Sequence, residues 1–227
     1  MRMRTDSQSG ASAESRVPLS RERVLRAAIF LADTGGIESL SMRKLGQELG
    51  VEAMSLYNHV ANKDDILNGI VEIVISAIDV PASGADWKVA MRKSAISAHA
   101  ALLRHPWACS LMMSPARVCP ARLRWIESVL SSLRNAGFSA ELTHHAYHAL
   151  ESHIAGFPLW IVNLPAVGEE LKDIGANFLR ELPVDEYPYM AEHIELHLTE
   201  SSHDDVGAFA FGLDLILDGL ERIRDLA

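Results

Sequence analysis

Cysteine is nearly absent from this chain of 227 residues: Cys109 and Cys119 are the only two, and they do not form a CxxC pair. That excludes a disulfide scaffold and suits a reducing compartment, so a cytoplasmic location is expected. Long hydrophobic runs are missing as well. None reaches the ~18 residues of a membrane span, and no membrane partner is expected. The opening MRMRTDSQSGASAESR is basic and then polar, without an apolar stretch, and does not read as a secretory signal. Sustained apolar–polar alternation is absent, and no Asn-Gly turn stands between two such runs, which argues against a sheet. A GxSxG elbow, an HExxH pair and a Gly-rich phosphate loop are also lacking, so neither an enzyme nor a cofactor is expected. Positive charge is scarce: 21 Lys and Arg face 30 Asp and Glu, for a net −9.

What remains is an ordinary globular composition, 48% hydrophobic and 22% charged. The charge is unevenly spread. Residues 1–63 carry 9 basic and 7 acidic side chains, or +2, and the remainder carries 12 and 23, or −11, which together give −9. An acidic body repels nucleic acid, so only the front end suits a polyanion. The spacing predicts helices throughout, an all-α chain. Residues 1–18 read as a disordered arm of Ser, Ala, Gly and Gln. Ser20 caps a first helix that Gly35-Gly36 ends, and Ser41 caps a second that Gly50 ends. A short helix follows, and Asn62 caps a fourth that is apolar nearly all round and reaches residue 79. The stretch VPASGAD (80–86) is a break. Beyond it helices are expected over Asp86–Arg104, near Trp107–Met113, and over Pro120–Asn135 and Ser139–Val162. Three more are expected over Glu169–Leu182, Pro188–Thr199 and Asp204–Asp225. The organisation read from this is an arm (1–18), a front domain (19–66) and a larger body (67–227).

Two short helices joined at a glycine, behind a longer support, describe a helix-turn-helix whose second member enters a major groove. Setting Leu56 inward places Ala53 and Val60 on the same side. Met54, Ser55, Tyr57 and Asn58 then point away, with His59 on the flank. Lys63 opens the next helix, where a cation and free N–H groups suit a phosphate. Arg43 and Lys44 suit the backbone on the other side. A plain helical-bundle corner with a polar face is the competing reading.

The run GIESLSMRKLGQELGVEAMSLYNHVANKDDIL strongly resembles the N-terminal domain of TetR-family transcription repressors. The matching elements are Gly36-Ile37, Ser41 to Leu45, Leu49-Gly50-Val51, Ser55 to Val60 and Asn62 to Leu67. The similarity spans about residues 20–68. It is nearest the branch containing the tetracycline repressor, which shares Leu-Tyr, a variable residue, then His-Val. The resemblance implies a two-fold symmetric homodimer on double-stranded DNA, with one reading helix per protomer and a palindromic operator. It assigns phosphate contacts to Tyr57, His59 and Lys63, and base or backbone contacts to Arg43, Ala53, Met54, Ser55 and Asn58. The chain departs from that branch at Ala53-Met54, where a Gln-Pro pair is found, and at Asn58, where an aromatic is found. Its operator sequence is expected to differ.

In this family the body binds a small-molecule effector and dimerises. Its middle is rich in large, adaptable side chains with polar groups among them, as small-ligand sites are. The candidate ligand residues are His99, Trp107, Met112, Met113, Trp125, His148, Phe157 and Trp160; core packing is the competing reading. Met91, His145, His153 and Asn163 lie in the same region. His144 and His148, spaced i,i+4 with Glu151 continuing the face, are the candidate metal ligands. Histidines titrating singly are the alternative, and no metal is expected. His193 and His197 repeat the spacing among acids and are expected on the surface. In the last helix Val206, Phe209, Ala210, Leu213, Ile216, Leu217 and Leu220 form a stripe expected at the dimer face, with Gly207, Gly212 and Gly219 allowing close approach; an intramolecular core helix is the competing reading. The expected activity is a repressor released by its effector. A ligand-independent regulator, or a helical enzyme or carrier with a structural first domain, are the alternatives.

Overall fold

A computed structural model describes residues 18–82, 84–114, 119–162, 169–199 and 205–226. The arm expected over 1–18 therefore lies almost wholly outside the described residues, as does Asn163. Among the described residues there are eleven α-helices and no strand. They are α1 (Arg21–Gly35), α2 (Met42–Leu49), α3 (Ala53–Leu56), α4 (Lys63–Ser76), α5 (Trp87–Arg104) and α6 (Trp107–Met112). Then follow α7 (Pro120–Asn135), α8 (Ala140–Val162), α9 (Glu169–Glu181), α10 (Pro188–Thr199) and α11 (Asp205–Leu226).

Local chemistry sets the front boundaries. Ser20 Oγ accepts from the Arg23 amide, Ser41 Oγ from Lys44 and Asn62 Oδ1 from Asp65, each satisfying an orphan donor of a first turn. Gly50 stops α2 at φ 67°, a left-handed conformation that glycine adopts without a Cβ clash. The helix expected at the opening of the reading segment is shorter than its spacing suggests. Only Ala53–Leu56 is regular; the Tyr57, Asn58 and His59 amides then reach back three residues, to Met54, Ser55 and Leu56. Tyr, Asn and His are mediocre helix formers, and the Asn62 cap begins a new helix close behind, so the tighter turn wins. The fourth helix ends at Ser76 rather than at residue 79.

Helix α1 packs on α2 and α4, α2 packs on α3, and α4 runs on to meet α5, α6 and α7. Six apolar residues of α4 are buried: Ile66, Leu67, Ile70, Val71, Val74 and Ile75. The core is therefore continuous from Val24 in α1 to Leu220 in α11, with α4 as its bridge. In the body α5 is the hub, packed against α8, α11 and α7. Helices α9 and α10 pack on each other.

The stripe on α11 has a different partner from the one expected. Phe209, Leu213, Leu217 and Leu220 are buried in the chain's own core, against α5 and α8. Helical period marks an apolar face without saying what covers it. The outward apolar residues in the first half of α11 are Phe211 and Leu215, 69% and 59% exposed; Ile223 and Leu226 are exposed near its end. Of the glycines there, Gly212 does permit close approach, since a Cβ on it would lie 2.7 Å from the His153 ring; Gly219 faces open space.

Candidate functional site

The front corner is built around two fully buried leucines, Leu45 of α2 and Leu56 of α3, joined by Val60. Burying a leucine is worth about 1.5–3 kcal/mol, enough to orient a four-residue helix. Gly46 lets the pair meet: a Cβ there would sit 2.8 Å from the Val51 carbonyl oxygen and 3.1 Å from the Ala53 nitrogen. With Leu56 inward, Met54, Tyr57 and Asn58 are exposed, and Ala53, Ser55 and His59 are half-buried beside them. Arg43, Lys44 and Lys63 are exposed around the same corner. All nine predicted contact residues thus lie on α2, on α3 and the turn that follows it, and at the start of α4.

A bidentate clamp holds this corner. Arg21 of α1 donates from both guanidinium nitrogens to Asp65 of α4, at 2.8 and 2.7 Å, and reaches the His59 carbonyl oxygen at 3.5 Å. Asp65 also accepts from the Ala61 amide at 2.9 Å. The Arg21 hydrogen bonds, then the Ala61 amide, hold the Asp65 carboxyl down at about 2. Asp65 is therefore neutralised locally and does not repel a phosphate at Lys63 as a free carboxylate would.

Two polar links tie α1 and α4 to later helices of the body. Asp33, near the end of α1, places one oxygen 2.6 Å from the Trp107 indole nitrogen and 2.8 Å from His105 Nδ1, at the junction of α5 and α6. Glu72 of α4 accepts from the Ala121 amide at the start of α7, at 2.9 Å, and from Arg124 at 3.3 Å. Burial raises the Glu72 carboxyl, but the Ala121 amide, the Cys119 thiol and Arg124 outweigh it and leave the carboxyl below its ordinary value. Neither link was foreseen from the sequence. The partners stand 72, 74 and 49 residues apart, and no local pattern joins them.

The candidate ligand residues are not gathered in one place. Trp107 is tied to Asp33, and Trp125 donates to Ser94, whose hydroxyl donates to the Asp79 carbonyl. Met112 is buried, whereas Met113, His148 and Trp160 are exposed. His99 and Phe157 do come together, ring centroids 5.5 Å apart, with Phe209 and His153 beside them. His144 and His148 have rings 4.6 Å apart, and Glu151 lies 3.8 Å from His148. Among the described residues no group of three or more His, Cys, Asp or Glu is placed to hold a metal. His193 is exposed, and the side chain of His197 lies outside what the structure describes. A surface cleft of about 360 Å³ between residues 81–87 and α7 contains none of the candidate ligand residues. No helix among the described residues is long and apolar enough to cross a membrane.

Comparison with known proteins gives this arrangement its context. Residues 24–70 match the family described as bacterial regulatory proteins, tetR family, and residues 80–224 match the tetracyclin repressor-like C-terminal domain. The chain belongs to the TetR family. Among its TetR relatives, the HTH-type transcriptional repressor DrrR1 of Streptomyces coeruleorubidus is 30% identical over 213 residues, covering 89% of this chain and 77% of that protein. The class D tetracycline repressor protein of Escherichia coli is 32% identical over 208 residues, covering 89% of both. The solved structure of the TetR-family protein ActR of Streptomyces coelicolor, in complex with actinorhodin, superposes with a TM-score of 0.73 at 25% identity. The match covers 92% of this chain and 99% of that one. The chain is accordingly a TetR-family transcriptional repressor with an N-terminal helix-turn-helix and a helical C-terminal domain, and not an enzyme.

Proposed function

We propose that this repressor acts as a homodimer on a palindromic operator and is released by a small-molecule effector bound in the body, as ActR binds actinorhodin. The observation that carries the reading is the split of the segment formed by α3 and the turn behind it. Leu56 is wholly buried while Met54, Tyr57 and Asn58 stand free on the opposite face. Tyr57, His59 and Lys63 grip phosphates, and Arg43 and Lys44 meet the backbone from α2. Ala53, Met54, Ser55 and Asn58 face the base edges and set operator preference. Two such corners, one per protomer, reach successive major grooves about 34–36 Å apart.

The outward faces of α8 and α11 suit the dimer contact. Phe211 and Leu215 are exposed on α11, and Ala149, Ser152 and Gly156 leave a low exposed track on α8. Pairing of these faces would bury the two aromatic and aliphatic anchors against small residues. The organisation is an arm over 1–18, a reading domain over 19–66 and an effector and dimer body over 67–227.

Release requires that the effector bind two states of the body with different affinity. The Asp33 and Glu72 links supply the mechanical path. A shift of the α5–α6 junction pulls on α1 through Asp33, and a shift of α7 pulls on α4 through Glu72. Either one changes the spacing of the two reading corners. By linkage, operator binding changes effector affinity by the same factor.

The test is fluorescence anisotropy on DNA from upstream of the chain's own gene, titrated with salt. Affinity is expected to fall steeply as salt rises. Lys63→Ala is expected to reduce the log–log salt slope by about 1, and Tyr57→Ala to weaken binding on all sequences alike. Wild-type affinity in both variants would sink the assignment.

A further inference from the structure

The outward face of α8 gathers His144, His145 and His148 into one short stretch, all of them exposed. Histidine is a mediocre helix former, and a solvated helix face is better served by Glu, Lys or Gln. The three are not equivalent. Residues four apart stand above one another on a helix, whereas sequence neighbours diverge. The His144 and His148 rings accordingly meet, with centroids 4.6 Å apart and planes at 82°. His145 lies round the helix from this pair, its ring 5.5 Å from His144. An imidazole–zinc bond is about 2.0–2.1 Å and the ring centroid lies about 1.1 Å behind the nitrogen, so each centroid stands about 3.2 Å from a bound metal. Two such rings at about 90–110° are then about 4.5–5.2 Å apart. The observed 4.6 Å falls within that span, so the pair is spaced for chelation with little rearrangement.

A carboxylate stands behind one of the rings. Glu151 Oε2 lies 3.8 Å from His148 Nδ1. Its other oxygen accepts from the Tyr147 hydroxyl at 2.7 Å, with Arg122 at 3.8 Å. Glu151 is thereby fixed where a small turn of the His148 ring lets it take the Nδ1 proton, which leaves the Nε2 lone pair free for a metal. An outer-shell carboxylate of this kind sets the tautomer and orientation of a metal-ligating imidazole.

We infer that His144 and His148 chelate a borderline divalent transition-metal cation, of the zinc or nickel class, on the outward face of α8, with Glu151 as the positioning residue behind His148. Imidazole nitrogens suit these cations, whereas the hard cations Mg2+ and Ca2+ take oxygen ligands. Two protein ligands leave the other coordination positions to water, which makes the site open and exchangeable rather than a closed structural one. The net negative charge of the body favours a cation there. The site is separate from the reading corner and requires neither operator nor effector.

The test is calorimetry of zinc, nickel and magnesium chlorides against the full chain without an affinity tag. Zinc and nickel are expected to bind and magnesium is not. His144→Asn and His148→Asn should each weaken zinc at least tenfold. Glu151→Gln keeps both imidazoles and should weaken it about tenfold through the outer shell alone. His145→Asn and His193→Asn should bind as wild type does. Wild-type protein with labelled histidine locates the metal without a substitution: one equivalent of zinc should move the His144 and His148 ring-nitrogen resonances ahead of all others. Equal zinc affinity in wild type and H148N, first movement at other histidines, or magnesium binding as tightly as zinc would each overturn the site. So would a loss in H145N equal to that in H148N, because the metal would then be held by an unspecific cluster of histidines.

Discussion

Lowering the pH should unfold this protein partly through one residue. In the unfolded chain His99 titrates at its ordinary 6.5; in the folded chain burial, and then the neighbouring His153, bring it down to about 4. Between these values the unfolded state binds the extra proton and the folded state does not, so stability rises with pH across the window. Above 6.5 the penalty is absent, and by pH 4 it is almost complete. At pH 5 the ratio of the two binding polynomials is about thirtyfold, or about 2 kcal/mol relative to pH 8. For a chain of this size that is about 4–8 °C in the unfolding midpoint. The assay is thermal unfolding of wild type and H99F at pH 8 and pH 5, at one protein concentration so that dimer mass action is fixed. H99F removes both the titration and the two ring nitrogens, neither of which has a hydrogen-bond partner among the described residues. It should be at least as stable as wild type at pH 8, and its lead should widen by about 2 kcal/mol at pH 5. Parallel pH profiles for the two proteins would refute the reasoning, because His99 would then have a proton partner when folded.

Three further outcomes follow from the geometry. Gly46→Ala places a Cβ 2.8 Å from the Val51 carbonyl oxygen, so it should abolish operator binding while leaving the body folded, as read by anisotropy and far-ultraviolet dichroism. Asp33→Ala removes the acceptor shared by Trp107 and His105 and should cost about 1–3 kcal/mol in urea unfolding. It should also abolish the slowing of hydrogen exchange over residues 105–112 that operator binding produces in wild type; persistence of that slowing would exclude Asp33 as the link. Leu215→Arg puts a charge on the outward face of α11, and light scattering should find a monomer with the same helix content.

Much of the front domain was legible because its determinants are local. Ser20, Ser41 and Asn62 cap the helices that follow them, Gly50 turns the chain, and the spacing of Leu56 and Val60 turns Tyr57 and Asn58 outward. Each needs only a few neighbouring residues. The body's helix ranges were legible for the same reason. The functional part of the body was less so. Trp107 and Trp125, read as ligand contacts from composition, spend their N–H groups on Asp33 and Ser94. The α11 stripe read as a dimer face is the chain's own core.

The sequence by itself determined an all-α chain of this family, most of its helix ranges, and a reading corner whose exposed donors stand opposite a leucine anchor. These follow from period, capping and a motif confined to about fifty residues. Only the tertiary structure decided that Asp65 is spent on Arg21, that Asp33 and Glu72 fasten α1 and α4 to later helices of the body, and that His99 stacks on Phe209 with neither nitrogen paired among the described residues. The physical reason is separation along the chain. Periodicity tells which face of a helix is apolar, but a hydrogen bond across dozens of residues, or a buried ring without one, depends on which other helix arrives there.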